Sequence, residues 1–345
     1  MASFSTFGAL PTDQQHDQTL VLFFYANARR WIRNALKSGE QFDLAHQITP
    51  VAMRYPSPLV GLGLTYLFGP VSGSLDTPKG FLGEIGTAPF YTKLRGLDNF
   101  RFRFDPFLRR TYSGAATVIV SAPYVRDRLA AIPIRRFEVI TEVGIDNLPS
   151  TKARTPRESG RLRLLHVGRI VRTKGLRDAV RAMGQLRDLQ GITLEVAGGG
   201  EDLDPCRKEA VKLGVADRIT FHGRLPHDAV MKLYEDTDLF LFPSFREPTG
   251  IVLFEAMRLG IPVITTDRGG PGYIVDDDSG IRVPAETPEQ LSHDLARAIR
   301  DIYMHPERLA EMSVRARARA AALGLWSTKI EHVVDLYREE LRGRS

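Results

Sequence analysis

The sequence predicts an α/β protein with two domains, each built around a parallel sheet that is wrapped by helices. The chain has 345 residues, and a typical domain contains about 150. In its second half, short apolar strands alternate with helical segments through tight glycine turns, which is typical of βαβ units. Hydrophobic residues make up 43% of the chain and charged residues 26%, an ordinary globular mixture that disfavours disordered, collagen-like and coiled-coil proteins.

Three missing signals narrow the class of protein. The longest apolar runs, such as residues 20–26, fall far short of the ~20 residues that a membrane-spanning helix needs. The first residues show no basic start, apolar centre and small-residue cleavage site, so we do not expect secretion. The single cysteine, Cys206, excludes a disulfide framework and a cysteine-based zinc site. We therefore expect a soluble, cytoplasmic protein.

A polar stretch at 151–160, with proline and glycine and no aliphatic periodicity, is interpreted as a linker between residues 1–150 and 161–325. After it the spacing predicts strands at 161–167, 192–197, 219–221, 239–242 and 262–265, and helices at 175–189, 204–213, 227–234 and 250–259. The first half is less clear, with strands predicted at 42–48, 64–68, 117–121 and 139–141 and helices at 26–37 and 123–129. Parallel sheets bind ligands at the carboxyl ends of their strands, which here are Gly168, Gly198, Gly223, Pro243 and Thr266.

Basic residues follow the first of these strand ends. Arg169 comes directly after Gly168, and Lys174-Gly175 follows shortly after. A strand that turns through glycine and delivers two cations beside a helix start suits an anion such as a phosphate. Arginine and lysine are also common on protein surfaces, so an ordinary solvated turn is the alternative.

Two glutamates, Glu247 and Glu255, flank the predicted start of the helix at 250–259. The free N–H groups of Thr249, Gly250 and Ile251 form a phosphate seat. Glu255 stands about 7 Å further along the helix, where a carboxylate can accept hydrogen bonds from ribose hydroxyls. Glu247 would face whatever extends beyond the phosphates. The alternative for either residue alone is a helix cap or a solvent-facing acid.

Other motifs argue against a dinucleotide or a metal. Gly198-Gly199-Gly200 lacks the third glycine of the dinucleotide fingerprint, which disfavours NAD. Asp236 and Asp238 have the spacing of a metal-binding pair, but they precede the strand at 239–242 and so lie at the wrong end of a parallel sheet. We expect a site without metal or cofactor.

Candidate acceptor-side residues lie in the first half. His46 is near the end of the strand predicted at 42–48, and Gly73 belongs to a glycine-rich loop after the strand at 64–68. Both would face a cleft between the domains. A lone histidine is more often structural than catalytic, but His46 lies near a strand end, so both interpretations stay open.

A basic segment at 93–136 holds ten lysines or arginines against three aspartates, and it interleaves phenylalanines with arginines. One interpretation is a surface that docks on anionic lipid headgroups. Nucleic-acid binding is disfavoured because no nucleic-acid motif accompanies the segment. The alternative is an ordinary solvated face.

With Glu247 and Glu255 in a Glu-x7-Glu motif, supported by Gly168-Arg169 and Lys174-Gly175, the sequence resembles the retaining glycosyltransferases of family 4. The resemblance spans residues 161–341 and, more weakly, 42–145. It implies a GT-B fold of two facing Rossmann-like domains. It also implies transfer of a hexose, with retention, from a nucleoside diphosphate sugar to a glycan or lipid-linked acceptor. The basic segment at 93–136 favours an acceptor at the inner face of the membrane.

The resemblance also implies residue roles. Catalytic residues would be Arg169, Lys174 and Glu247. The donor-binding residues would be Gly168, Gly199, Arg224, Thr249, Gly250, Ile251, Val252 and Glu255. His46 and Gly73 would lie on the acceptor side, and residues 326–345 would form a helix that crosses back to the N-terminal domain. Measured against the family, Ser72 and Ser74 replace usual glycines, and we expect the first βα units of the N-terminal domain to be missing.

Two alternatives belong to other classes. The chain could be a non-catalytic remnant that binds nucleotide without turnover, or a nucleotide-sugar epimerase of the same fold that needs no acceptor. Transfer, or slow donor hydrolysis, separates an enzyme from a remnant. Isomerised donor in the absence of acceptor would identify an epimerase.

Overall fold

Two parallel sheets form the framework of the structure, a computed structural model that describes residues 14–85, 97–150 and 160–343. The first sheet has the order β1-β2-β3-β4, with β1 (Ala45–Gln47), β2 (Tyr66–Val71), β3 (Thr117–Val120) and β4 (Phe137–Val139). The second has the order β10-β9-β8-β5-β6-β7, with β5 (Leu162–Val167), β6 (Ile192–Ala197), β7 (Ile219–Gly223), β8 (Leu239–Phe242), β9 (Val263–Thr266) and β10 (Gly280–Val283).

Helices cover these sheets. Those of the first half are α1 (Gln14–Lys37), α2 (Asp98–Phe104), α3 (Pro106–Ser113) and α4 (Pro123–Arg128). Those of the second half are α5 (Leu176–Gly184), α6 (Leu203–Lys212), α7 (His227–Glu235), α8 (Ile251–Arg258), α9 (Gly269–Ile274), α10 (Pro288–Met304), α11 (Arg308–Gly324) and α12 (Trp326–Arg342). Short 3-10 helices lie at Lys79–Glu84, Arg172–Lys174 and Ala216–Arg218.

The order of the second sheet predicts a ligand-binding edge beside β5. From β5 the chain runs outward through β6 and β7, and it then returns to the other side of β5 as β8, β9 and β10. The strand order therefore reverses between β5 and β8, and ligands of open parallel sheets bind outside the carboxyl ends of the strands at such a switch point. Every residue of β8 is buried, as expected for a central strand covered on both faces.

Two chain segments that cross between the sheets run side by side. The N–H of Ile145 donates to the carbonyl of Gly324 at 2.9 Å, and the N–H of Trp326 donates to the carbonyl of Ile145 at 3.1 Å. After this crossing, α12 packs Leu336 into a cluster with Leu67 and Ile119 of the first sheet. The part of the last helix around Leu336 thus packs against the first sheet.

Most of the predicted elements of the second half begin and end within one or two residues of their predicted bounds. The bounds of β6 and β8 are those predicted. The helix predicted at 175–189 differs, because α5 ends at Gly184 and the chain continues in turns. In the first half, the strand predicted at 42–48 is reduced to β1. The linker up to residue 159, and residues 93–96 of the basic segment, lie outside the described residues.

Candidate active site

Glycines at the strand ends allow the backbones to approach one another closely. A Cβ on Gly198 would lie 1.8 Å from the carbonyl oxygen of Gly168, and both residues have positive φ (145° and 150°). On the adjacent Gly199, a Cβ would lie 3.1 Å from Cγ of Arg224, so the arginine side chain covers that glycine. Gly168, Gly199 and Arg224, which follow three separate strands, are therefore neighbours along one edge of the sheet.

Lys174 and Glu247 form an ion pair across the switch point. The approach of their two loops depends on Gly175, which has φ +76° and whose absent Cβ would lie 2.0 Å from the carbonyl oxygen of Pro243. The two charged side chains are largely buried, at 12% and 13% exposure. Two residues that the sequence predicts to serve one reaction are thus in direct contact.

The charges around Lys174 perturb its titration. Burial, with repulsion from Arg169 and Arg246, lowers the pKa of Lys174 to about 8 even though it pairs with Glu247. Its Nζ also lies 5.7 Å from the centroid of the Phe242 ring. Three cations therefore converge beside one carboxylate, an arrangement that favours an additional anion.

The start of α8 adds backbone donors to these cations. Gly250 enters the helix in the left-handed conformation, at φ 101°, and Thr249 before it is buried. The N–H groups of Ile251 and Val252, in the first helical turn, have no acceptor within the helix, whereas that of Leu253 donates to the carbonyl of Gly250 at 3.1 Å. Together with the helix dipole they form an anion seat on the same loop that carries Glu247.

Glu255 lies one turn further along α8 and has a partner that sequence reasoning missed. The hydroxyl of Tyr234, on α7, donates to Oε2 of Glu255 at 3.3 Å. Tyr234 is fully buried, and burial, with the charge of Glu255, raises the pKa of its phenol. The buried side chain of Tyr234 thus orients the half-buried carboxylate of Glu255. No motif marks Tyr234, because the contact joins two different helices.

On the acceptor side, the ring of His46 is already engaged by the protein. Its Nδ1 lies 2.5 Å from the hydroxyl of Tyr337 on α12, and its Nε2 lies 2.8 Å from the carbonyl of Gly69. Burial lowers its pKa, opposed by the bond to Gly69. These two contacts are what a structural role of His46 would require. Its acceptor-side role stays a prediction.

Gly73, by contrast, borders open space. It has φ +105°, and a Cβ there would meet nothing within 4 Å. The hydroxyl of Tyr124 lies 3.2 Å from both the N–H and the carbonyl oxygen of Gly73 and holds the loop in place.

A carboxylate that the sequence does not predict, Glu142, lies where the loop after β2 meets the loop before α8. Hydroxyls of Ser72 and Thr249, one from each loop, face it. Burial raises the pKa of Glu142, against the effect of these hydroxyls. Its Oε2 is buried without a hydrogen-bond partner among the described residues. No sequence signal marks Glu142, which follows β4 in an irregular segment.

The two acids Asp236 and Asp238 both contact Arg163 of the same chain. Oδ2 of Asp238 accepts from the backbone N–H of Arg163 at 2.8 Å, and Oδ1 of Asp236 lies 3.4 Å from a guanidinium nitrogen of the same arginine. Among the residues with described positions, no group of three or more His, Cys, Asp or Glu side chains is placed to hold a metal ion. Nor does any helix of that part of the chain have the length and apolarity to span a bilayer.

The fold is GT-B, with two parallel-sheet α/β units and a candidate site at the strand ends of the second. Residues 149–319 match the model of a family described as Glycosyl transferases group 1. The structure of Anabaena Alr3699/HepE in complex with UDP-glucose has the same fold, with a TM-score of 0.58 at 20% identity, covering 82% of this chain and 74% of that one.

Two relatives extend the similarity at the level of sequence. An uncharacterized glycosyltransferase, MJ1607 of Methanocaldococcus jannaschii, is 33% identical over 139 residues, which are 40% of this chain and 36% of the relative. A glycogen synthase of Mycobacterium tuberculosis (strain CDC 1551 / Oshkosh) is 32% identical over 193 residues, 55% of this chain and 45% of the relative. The chain thus spans between a third and a half of the length of these relatives.

Proposed function

We propose that the protein transfers a hexose from a nucleoside diphosphate sugar to a glycan or lipid-linked acceptor, with retention at the anomeric carbon and without a metal. The observation that carries this proposal is the Lys174–Glu247 pair at the switch point, beside the anion seat of α8. The similarity to group 1 glycosyl transferases over residues 149–319 supports the donor class. So does the UDP-glucose complex of a protein with the same fold.

In the proposed reaction, the donor's diphosphate lies against the start of α8, where Arg169 and Lys174 neutralise it. Glu255 accepts hydrogen bonds from the ribose, and Glu247 contacts the sugar. The bond between the anomeric carbon and the phosphate oxygen breaks, a bond to the acceptor oxygen forms, and the acceptor's proton passes to the departing diphosphate. The cations stabilise the charge that develops on that diphosphate, and this preferential stabilisation of the transition state lowers the barrier.

The first test is thermal unfolding with and without UDP, GDP and ADP at about a hundredfold over a typical Kd. Binding at that excess stabilises the folded state by ~2.7 kcal/mol, which corresponds to a shift of several degrees. We expect one nucleotide to raise the midpoint. A sharp transition that no nucleotide moves would contradict the donor site.

Turnover then separates the enzyme from its two alternatives. Purified protein with the cognate nucleotide sugar should release the nucleoside diphosphate slowly by hydrolysis, and faster when an acceptor is added. Nucleotide binding without any turnover would instead indicate a remnant. Isomerised donor without acceptor would indicate an epimerase.

We also propose that the acceptor is met at a membrane surface, through the described part of the basic segment, residues 97–136. On α2 and α3, Phe100, Phe104 and Phe107 are 62%, 57% and 65% exposed, and Arg101 and Arg103 alternate with the first two. Exposed aromatic rings beside arginines suit an anionic lipid interface, where each cation contributes ~1 kcal/mol.

Sedimentation with vesicles tests this surface. We expect the protein to bind vesicles that contain phosphatidylserine and to bind phosphatidylcholine vesicles much less. Phe100→Ser with Phe104→Ser should weaken the binding several-fold. Val314→Ser, a change at a 58% exposed position on α11, is the matched control. Equal loss in both variants, or no binding by the unaltered protein, would contradict the proposal.

A further inference from the structure

Residues 75–84, from the first half of the chain, lie across the second half. We call this segment the strap. It follows the loop that carries Gly73. The carbonyl of Asp76 accepts from Arg268 at 2.9 Å, and the hydroxyl oxygen of Thr77 accepts from Arg246 at 3.1 Å. Further along, Gly80 packs so closely on residue 286 that a Cβ would lie 2.4 Å from its carbonyl oxygen. The strap is therefore fastened along its length to the domain of the candidate donor site.

Phe81 is the central anchor of the strap. It is fully buried and belongs to the hydrophobic core of the second sheet, not to that of the first. Its ring stacks on Phe245, with centroids 4.0 Å apart. The guanidinium carbon of Arg172 lies 5.2 Å from the centroid of each ring, a distance at which cation–π attraction is effective.

The charge of Arg172 is neutralised partly from the strap. Arg172 donates to both carboxylate oxygens of Asp178, at 2.6 and 2.9 Å, and its Nε donates to Glu84 at 2.7 Å. Glu84 also pairs with Arg181 at 2.9 Å. Arg172 is only 6% exposed, and removing one partner of a buried cation is strongly destabilising because charge is left uncompensated. The strap thus supplies both an aromatic face and a carboxylate to one buried arginine.

The same anchor adjoins both members of the proposed catalytic pair. Arg172 begins the 3-10 turn that ends at Lys174. Phe245 lies two residues before Glu247, and Arg246, which donates to the strap, lies between them. Displacement of Phe81 would therefore release the two short segments that carry the ion pair.

We propose that the strap holds the Lys174–Glu247 pair in its working geometry and that Phe81 acts as a positioning residue. This inference rests on the proposed function of that pair. It means that a segment continuous with the acceptor-side loop at Gly73 supports the groups that bind the donor. Phe81 itself touches neither substrate in this arrangement, because it is enclosed in the core.

The test compares Phe81→Ala and Phe81→Leu with Leu82→Ala. Leu82 belongs to the same 3-10 helix and is 58% exposed, so its truncation is the matched control. Phe81→Leu keeps an apolar side chain and serves where Phe81→Ala does not fold. We expect kcat to fall on the order of a hundredfold in Phe81→Ala, with KM for the donor changing less, since small misplacements of reacting groups have effects of that size. Phe81→Leu should recover part of the loss.

A second readout does not depend on turnover. The pH dependence of amine labelling at Lys174, followed by mass spectrometry of its peptide, reports the pKa of this side chain, which is about 8. The groups that face Lys174 are Glu247, Arg169, Arg246 and, from β5, His166. A loosened strap admits water, so the pKa should rise toward the ordinary lysine value in the Phe81 variants and stay unchanged in Leu82→Ala.

The outcomes separate this inference from the proposed function. Folded Phe81 variants with an unchanged labelling midpoint and unchanged kcat would overturn the positioning role and leave a purely structural strap. A shifted midpoint in a protein that binds no nucleotide would support the strap and overturn the proposed function. A fall in kcat with a shifted midpoint supports both.

Discussion

Lys174 and Glu247, 73 residues apart in the chain, form a largely buried ion pair where the loops after β5 and β8 meet. The pair exists because Gly175 allows its loop to pass over the carbonyl of Pro243, at a separation that no side chain would permit. The pair itself is neutral, and Arg169 beside it gives the group of three side chains a net positive charge. This group lies next to the start of α8. This local charge is the basis of the first prediction.

Arg169→Ala should lower kcat/KM by roughly two orders of magnitude, about 3 kcal/mol, by analogy with the loss of one oxyanion donor. The reason is that the arginine neutralises charge on the departing diphosphate. Steady-state kinetics with the cognate donor measures the effect. Arg187→Ala, at an exposed position of the same domain, should leave the kinetics unchanged. Transfer kinetics equal to those of the unaltered protein would remove Arg169 from the mechanism.

Glu255→Ala should weaken nucleotide binding by about 1.5–3 kcal/mol, because it removes a charged acceptor of ribose hydroxyls. Tyr234→Phe should cost about 1 kcal/mol, since it removes the hydroxyl that lies 3.3 Å from Oε2 of Glu255 and 3.4 Å from the carbonyl oxygen of Val252. Calorimetric titration with the cognate nucleotide gives both values. Glu311→Ala, an exposed change on α11, is the control. A larger loss in Tyr234→Phe than in Glu255→Ala would contradict this order of roles.

His166 should make the protein less stable in acid. It is fully buried in β5, its Nδ1–H donates to the carbonyl of Leu241 at 2.9 Å, and burial lowers its pKa to about 4. Between pH 6.5 and 4 the unfolded chain binds a proton that the folded protein does not. The free energy of unfolding therefore falls as pH falls through this window, by up to about 3 kcal/mol.

Urea unfolding at several pH values measures this dependence. His166→Asn keeps a donor for Leu241 and should flatten the slope, whereas His293→Asn, at an exposed position, should preserve it. An unchanged slope in His166→Asn would assign the acid sensitivity to other groups.

Lys329→Ala should destabilise the crossing between the two sheets. The ammonium donates to the hydroxyl oxygen of Thr141 at 2.6 Å and also to the carbonyls of Thr141 and Val143. It lies 5.3 Å from the ring of Phe254 and 5.0 Å from that of Trp326. Removing it leaves buried carbonyls without their donor, so we expect a loss of about 1.5–3 kcal/mol.

Chemical unfolding measures the loss at Lys329, and Lys212→Ala, on an exposed position of α6, should change the stability by less than about 0.5 kcal/mol. Equal stability in the two variants would show that the buried ammonium makes no net contribution to the free energy of unfolding.

Local patterns predicted the second sheet well. An unbroken apolar run such as that of β8 can satisfy its backbone and side chains only as a buried strand, and the glycine turns at 168, 198 and 250 mark the strand ends and the start of α8. Because parallel strands share one carboxyl edge, the sequence alone assigns Gly168, Gly199 and Glu247 to one region.

The sequence by itself therefore determined the two-sheet α/β organisation, the bounds of the central strands and the residue types along the candidate site. Only the tertiary structure decided which of these groups touch: Tyr234 beneath Glu255, Tyr337 on His46, and Phe81 within the core of the other half. The physical reason is the separation along the chain over which each kind of constraint acts. Periodicity and turn chemistry express constraints over a few residues, whereas His46 and Tyr337 are separated by 291 residues, and no local pattern encodes a contact at that distance.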